Sequence, residues 1–180
     1  MGAKYFAKLT LVLFVITVVV AALLGAVNAV TENKIIEANK AKTVNALKVV
    51  MPTASSFEEI GYKGKDTLVT ELYVAKSGNT SSGYVVKVSP TGFGGEISMV
   101  VGVSTTGKIT GVSIISMSET SGLGTNASKD SFLNQYTGVS DTQSVKKDGG
   151  KIDALTGATI TSRAVTKGVN SALEAVKTMS

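Results

Sequence analysis

Between Leu155 and Val165 the chain reads LTGATITSRAV, which sets four hydroxyl side chains, Thr156, Thr159, Thr161 and Ser162, at the start of a segment with helical periodicity. Two chemistries suit that placement. Ser and Thr ahead of a helix satisfy its free N–H groups, and Thr161 or Ser162 is the expected N-cap. That use accounts for one or two hydroxyls and leaves Thr156-Gly157-Ala158-Thr159 unexplained. The second chemistry is anion binding. A helix N-terminus presents unpaired N–H groups and a partial positive charge, which suits a phosphate. Gly157 and Ala158 would let backbone approach it, Thr159 would lie against it, and Arg163 and Lys167 would either add charge or stay in solvent. On the residues alone both readings stand.

Two further stretches carry glycines where a ligand could lie. Gly92-Phe-Gly-Gly-Glu-Ile97 opens a β-forming run, and Ser118-Glu-Thr-Ser-Gly-Leu-Gly124 follows another. Each reads equally as an ordinary turn or as backbone that can approach a flat ligand. The composition limits the chemistry. The 180 residues include no Cys, His or Trp, so disulfides, His-paired nucleophiles and the usual zinc, iron–sulfur and haem ligands are excluded. Redox chemistry here would need an organic cofactor. A net charge of +5 without a dense basic run gives no nucleic-acid signature, and there is neither a Rossmann fingerprint nor a P-loop.

The elements that must position these residues read as α+β. Strand-like runs cover Thr67–Ala75, Tyr84–Val88, Glu96–Ser104 and Lys108–Ile115, with a polar turn at Ser77–Gly83 and a hairpin turn at Thr105–Gly107. Ser131–Tyr136 reads as a short helix. Ser162–Lys177 carries one apolar stripe, Val165, Val169, Ala172, Leu173 and Val176. The arrangement expected is an antiparallel sheet with helices packed on it.

Leu9–Val30 is uncharged, and about 22 residues at ~1.5 Å rise span a ~30 Å hydrocarbon core. Its threonines can bond within a helix. Val27-Asn28-Ala29 has the pattern of a signal-peptidase site, but the apolar run exceeds a signal peptide's usual 7–15 residues, so a retained single anchor is expected. Lys4 and Lys8 precede the span, whereas Lys34, Lys40, Lys42 and Lys48 follow it, so positive charge alone does not orient it. The short N-terminal tail favours an inside N-terminus. Thr31–Val50 continues with helical spacing as a stalk and ends at Met51-Pro52.

The three glycine- and hydroxyl-containing stretches, in this order behind one N-terminal span, resemble the FMN-binding domain found in the G subunit of the Rnf electron-transport complex. The same domain occurs in the C subunit of the sodium-pumping NADH:quinone reductase. The matching residues are Gly92-Phe93-Gly94-Gly95-Glu96-Ile97, Glu119-Thr120-Ser121-Gly122-Leu123-Gly124 and Thr156-Gly157-Ala158-Thr159-Ile160-Thr161. Ser121 stands where the family usually has Pro. The resemblance implies FMN as cofactor, joined through its phosphate to Thr159 by a phosphoester bond that a separate flavin transferase makes from FAD. It implies that Thr156, Gly157, Ala158, Thr161 and Ser162 shape the phosphate end. Glu119, Thr120, Leu123 and Gly124 would border the ring, Phe93, Gly94 and Gly95 would form another wall, and Asp153 would order the loop or assist transfer. Lys129, Lys146 and Lys147 are candidates to lie near the flavin, with no choice among them.

The implied organisation is a tail at 1–8, a transmembrane helix at 9–30, a stalk helix and linker at 31–62 and an FMN-binding domain at 63–180. The implied function is electron carriage within a membrane complex that couples ferredoxin–NAD chemistry to sodium or proton transport. The chain would be an oxidoreductase subunit without substrate turnover of its own. Its partners would be other membrane subunits, the flavin transferase and the lipid bilayer, with the flavin domain extracytoplasmic at the cell membrane. Two alternatives stand beside this reading, the quinone-reductase subunit and an anchored binding module without cofactor.

Overall fold

A computed structural model describes residues 2–179. Met1 and Ser180, the outermost residues of the expected tail and flavin domain, lie outside it. The order of elements is α1 (Ala3–Val50), β1 (Ser56–Ile60), β2 (Val69–Ser77), β3 (Thr80–Val88), β4 (Ile97–Ser104), β5 (Ile109–Met117), α2 (Asp130–Leu133) and α3 (Thr159–Lys177). Short 3-10 turns lie at Gly124–Ser128, Asn134–Tyr136 and Lys146–Asp148. The chain divides into two compact units, Met1–Ala41 and Lys42–Ser180.

The first unit is helix. Its large apolar side chains from Leu9 to Val30 are all exposed, the reverse of a core helix, and the helix is long and apolar enough to cross a membrane. Its hydroxyls bond to their own helix: Thr10 donates to the Phe6 carbonyl at 3.0 Å and Thr17 to that of Phe14 at 2.8 Å. This removes an otherwise expensive polar group from an apolar surface.

The second unit is α+β, as expected. Its five strands pair antiparallel in sequence order, β1-β2-β3-β4-β5. The central strands are covered on both faces, which is why β4 reads as nearly continuous apolar residues. On one face Met99, Val101 and Val103 pack with α3, whose Val165, Val169, Ala172, Leu173 and Val176 form the expected stripe. On the other face Val85, Val100 and Ile115 meet Ala46, Leu47 and Val50 from the end of α1 and Met51 just after it. There the Thr110 hydroxyl donates to the Val50 carbonyl at 2.5 Å. Gly102 leaves room for this approach, since a Cβ on it would lie 2.6 Å from the same carbonyl oxygen.

Two elements differ from the sequence reading. The stretch read as stalk and linker contains an edge strand, β1, paired with β2 from Ser56↔Lys76 to Ile60↔Leu72. It carries Glu58 and Glu59 and is largely exposed, so it shows no apolar alternation; Glu58 pairs with Lys76 at 2.5 Å. The polar run Ser77–Gly83 is mostly strand. The β2–β3 turn is only Gly78-Asn79, and Ser77 pairs directly with Thr80.

Candidate functional site

The α3 start departs from the expected capping. The helix begins at Thr159, its N-cap is Ala158, and among the described residues no side chain caps it. Thr161 and Ser162 therefore lie inside the first turn, and their hydroxyls bond elsewhere. Ser162, fully buried, donates to the Ala158 carbonyl at 2.9 Å and accepts the Leu155 N–H at 3.0 Å. Thr161 donates to Glu119 Oε2 at 2.6 Å. One turn on, the Thr166 hydroxyl donates to the Ser162 carbonyl and meets the Tyr136 hydroxyl, both at 2.8 Å. Burial pushes the Tyr136 phenol up to about 12, so it stays neutral throughout the physiological range.

Thr159 is in a different position. Its hydroxyl receives a hydrogen bond from Lys147 Nζ at 3.1 Å and donates to no group among the described residues. The N–H groups of Thr159, Ile160 and Thr161 likewise have no acceptor among the described residues; the first helical bond is Ser162 N–H to Ala158. Three N–H groups without an acceptor among the described residues, a helix dipole and a cation thus lie at the helix start that carries this hydroxyl.

Glu119 joins the three sequence stretches. Its side chain is buried. Oε1 accepts the Gly94 N–H at 3.1 Å and Oε2 accepts the Thr161 hydroxyl, 42 residues away in sequence. Small residues make space for this carboxylate: a Cβ on Gly92 would lie 2.1 Å from Oε1, and one on Gly124 2.7 Å from Oε2. The 120–126 loop is closed by its own bonds, Gly122 N–H to the Thr125 hydroxyl at 3.0 Å and Asn126 Nδ2 to the Gly122 carbonyl at 2.7 Å. These constrain the loop with Ser at position 121. Leu123 leans over Gly157, whose φ of +75° is a conformation that glycine adopts without strain.

The result is an open cavity of about 560 Å³, lined by Phe93, Glu119, Thr120, Leu123, Gly124, Lys147, Gly157, Ala158, Thr159, Ile160 and Thr161. Its size lies within the ~300–1,000 Å³ typical of small-molecule sites. Phe93, Leu123 and Ile160 are at least 45% exposed, an apolar rim beside a polar, anion-ready end. Four of the residues singled out from sequence stand behind or beside the cavity rather than in its lining. Gly94 gives its N–H to Glu119, Gly95 follows it, Ser162 lies under the helix start, and Thr156 is exposed. Asp153 is also off the lining. It pairs with Lys146 at 2.7 Å, and its N–H donates to Gln135 Oε1 at 2.7 Å, so it ties down the segment that leads into the motif. Ile160 joins the lining without a role assigned from sequence; its signal is an apolar residue outside the α3 stripe.

Lys147 sits on an arm, residues 143–153, fixed to α3 by paired groups. The Gln143 N–H donates to Asn170 Oδ1 at 2.9 Å, and Asn170 Nδ2 donates back to the Gln143 carbonyl at 2.8 Å. Arg163 grips Asp148 with two bonds, at 2.7 and 2.6 Å. That hydrogen-bonded guanidinium holds the Asp148 carboxyl below its ordinary range, and Asp148 raises Arg163 in return. Arg163, read from sequence as a possible anion ligand, is thus committed to the arm.

The chain's similarity to known proteins identifies its family. Residues 92–174 match the family model described as the FMN-binding domain, which takes in all three stretches that Glu119 joins. The G subunit of a Na⁺-translocating ferredoxin:NAD⁺ oxidoreductase complex from Acetobacterium woodii is 37% identical over 96% of this chain and 92% of its own length. The G subunit of a proton-translocating ferredoxin:NAD⁺ oxidoreductase complex from Clostridium ljungdahlii is also 37% identical, over 95% of this chain and 89% of its own. The crystal structure of the C subunit of a Na⁺-translocating NADH-quinone reductase from Parabacteroides distasonis shares the fold, with a TM-score of 0.59 at 18% identity over 81% of this chain and 93% of that one. The chain contains an FMN-binding domain. It belongs to the family of G subunits of ion-translocating oxidoreductase complexes.

Proposed function

We propose that the protein is an electron-carrying flavoprotein subunit of a membrane-bound, Rnf-type ferredoxin:NAD oxidoreductase that moves sodium or protons, with FMN joined to Thr159 by a phosphoester bond. The observation that carries this reading is the Thr159 hydroxyl, which lies in the cavity lining at a helix start with unpaired N–H groups and a cation beside it. The other hydroxyls of the motif are not equivalent to it. Thr161 and Ser162 already donate their protons to protein acceptors, and Thr156 is outside the cavity lining.

The residues present fit the cofactor. The N–H groups of Thr159, Ile160 and Thr161, with Lys147, would hold the phosphate. Phe93, Leu123 and Ile160 supply apolar surface of the kind a flat ring covers, and Glu119 keeps the two walls and α3 in register. When bound, the flavin supplies reversible electron transfer, a chemistry the side chains of this chain lack. A covalent link would keep that group on an open site from which it could otherwise dissociate.

α1 would anchor the chain in the cell membrane as a single pass, with the flavin domain on the extracytoplasmic side. Other membrane subunits of the complex would donate and accept the electrons, so no independent turnover is expected. A flavin transferase would act during maturation.

The test is co-expression with a flavin transferase, denaturation, and measurement of in-gel flavin fluorescence and intact mass. Fluorescence that survives denaturation, with the mass gain of one FMN, is expected for the wild type and absent from Thr159→Ala. A wild type at unmodified mass, while a known acceptor protein is labelled under the same conditions, would remove the covalent carrier reading.

A further inference from the structure

The arm carrying Lys147 has an uneven distribution of charge. Lys146, Lys147 and Arg163 border the motif and the first turn of α3, and Lys167 lies one turn on, beside Arg163 and the arm. Lys146 is paired with Asp153 and Arg163 with Asp148. Lys147, between them in sequence, has no carboxylate partner among the described residues. Its one side-chain hydrogen bond is to Thr159 Oγ1, at 3.1 Å. An exposed lysine is ordinarily free to sample solvent, since its flexible stem loses entropy when held. Here the 3-10 turn Lys146–Asp148 fixes its backbone, and the Asp148–Arg163 and Gln143–Asn170 contacts fix that turn against the helix that bears Thr159.

Resting on the reading above, we propose that Lys147 is the positioning residue for flavin attachment: its ammonium holds the Thr159 oxygen, favours its anionic form and then pairs with the phosphodiester. The step balances without redox change. Thr159 Oγ forms a bond to the phosphorus on the FMN side of FAD, the pyrophosphate P–O bond breaks, and AMP leaves. The hydroxyl proton passes to a base of the transferase or to water. Lys147 is itself a donor in this geometry and does not take that proton. Its contribution is electrostatic, because negative charge grows on Thr159 Oγ as the proton leaves and one negative charge remains on the finished diester.

The arrangement also separates the motif's hydroxyls. Thr161 faces the Glu119 carboxylate, which would repel an incoming phosphate, whereas Thr159 faces the unpaired ammonium.

The experiment follows initial rates of covalent labelling of the full chain by purified flavin transferase and FAD, for wild type, Lys147→Ala, Lys147→Gln and Lys147→Arg. Removal of a partly screened cation at a developing anion is expected to lower kcat about tenfold, with KM for the acceptor protein unchanged. Lys147→Arg should recover most of the rate and Lys147→Gln should not. Added salt should slow the wild type more than Lys147→Ala. Lys147 is exposed, so thermal melts should coincide for all four proteins. Equal kcat for wild type and Lys147→Ala would overturn the inference, as would a change confined to KM, which would assign Lys147 to transferase docking. A wild type that is never labelled fails at the earlier step and removes the proposed function along with the inference.

Discussion

Two helix ends meet the same sheet, and the chain treats them in opposite ways. At the end of α1 the Val50 carbonyl is taken by the Thr110 hydroxyl, and Gly102 lets the backbones close until no room remains. Among the described residues, at the start of α3 no side chain caps the helix, three N–H groups have no acceptor, and the nearby Lys147 has no carboxylate partner. Both ends have hydroxyls close by. At the first the hydroxyl completes the backbone's hydrogen bonding, which is the structural use of Thr. At the second the hydroxyls are drawn away, to Glu119 and to the Ala158 carbonyl, and the helix N–H groups stay open beside a cavity. Helix N–H groups that face an open cavity without a side-chain cap are available to water or to an anion.

Substitutions at the two ends should separate these roles. The largest effect is all-or-none. Thr159→Ala should lose covalent flavin completely while Thr159→Ser keeps it, and intact mass should show no transfer to Thr161 or Ser162 in the Ala variant. A shift of flavin to either neighbour would erase the contrast drawn between the hydroxyls. Next is Glu119→Ala, which strands the Thr161 hydroxyl and the Gly94 N–H. It should cost about 3 kcal/mol in urea unfolding, and Glu119→Gln distinctly less. At the closed end, Thr110→Val should cost about 1 kcal/mol and leave flavin labelling at the wild-type rate, since only a structural bond is lost.

The smallest effect belongs to Asp148→Asn, at the arm. Its partner Arg163 holds the folded-state carboxyl below the ordinary aspartate value of 3.8. The pair's contribution is therefore fully present above that value and is lost as pH falls through the lowered folded value. The stability difference between wild type and Asp148→Asn should stay constant from neutral pH down to about 3.8 and close at more acidic pH, as read by thermal melts across that range. A difference that already closes near neutrality would mean that the arm is held by something else.

How far the sequence reveals this depends on the range of the interactions. The α3 stripe and the β4–β5 hairpin rest on local periodicity and a turn, and both can be read directly. The three motif stretches can be read as a set by resemblance. What joins them cannot, because Glu119 bonds to Gly94 and Thr161 across 25 and 42 residues, and no local spacing encodes that. The α3 start lies three or four residues ahead of its expected position for a related reason. Ser and Thr at a helix start are expected to cap it, but here tertiary partners compete for the same hydroxyls. The choice of Lys147 over Lys129 and Lys146 requires the fold of the arm. The edge strand β1 is hidden in the sequence because its two glutamates and its exposure give it the composition of a linker.

The Glu119 junction bears on the order of biosynthesis. It binds a segment before β4, a loop after β5 and the first turn of α3, and α3 is C-terminal to every strand. A ribosome releases the sheet before it releases that helix. Thr159 therefore meets its surroundings only after all five strands have emerged and the sheet can form. A modification that requires the assembled site would mark molecules in which the sheet and α3 have already come together, and a misfolded copy would carry the motif without the site.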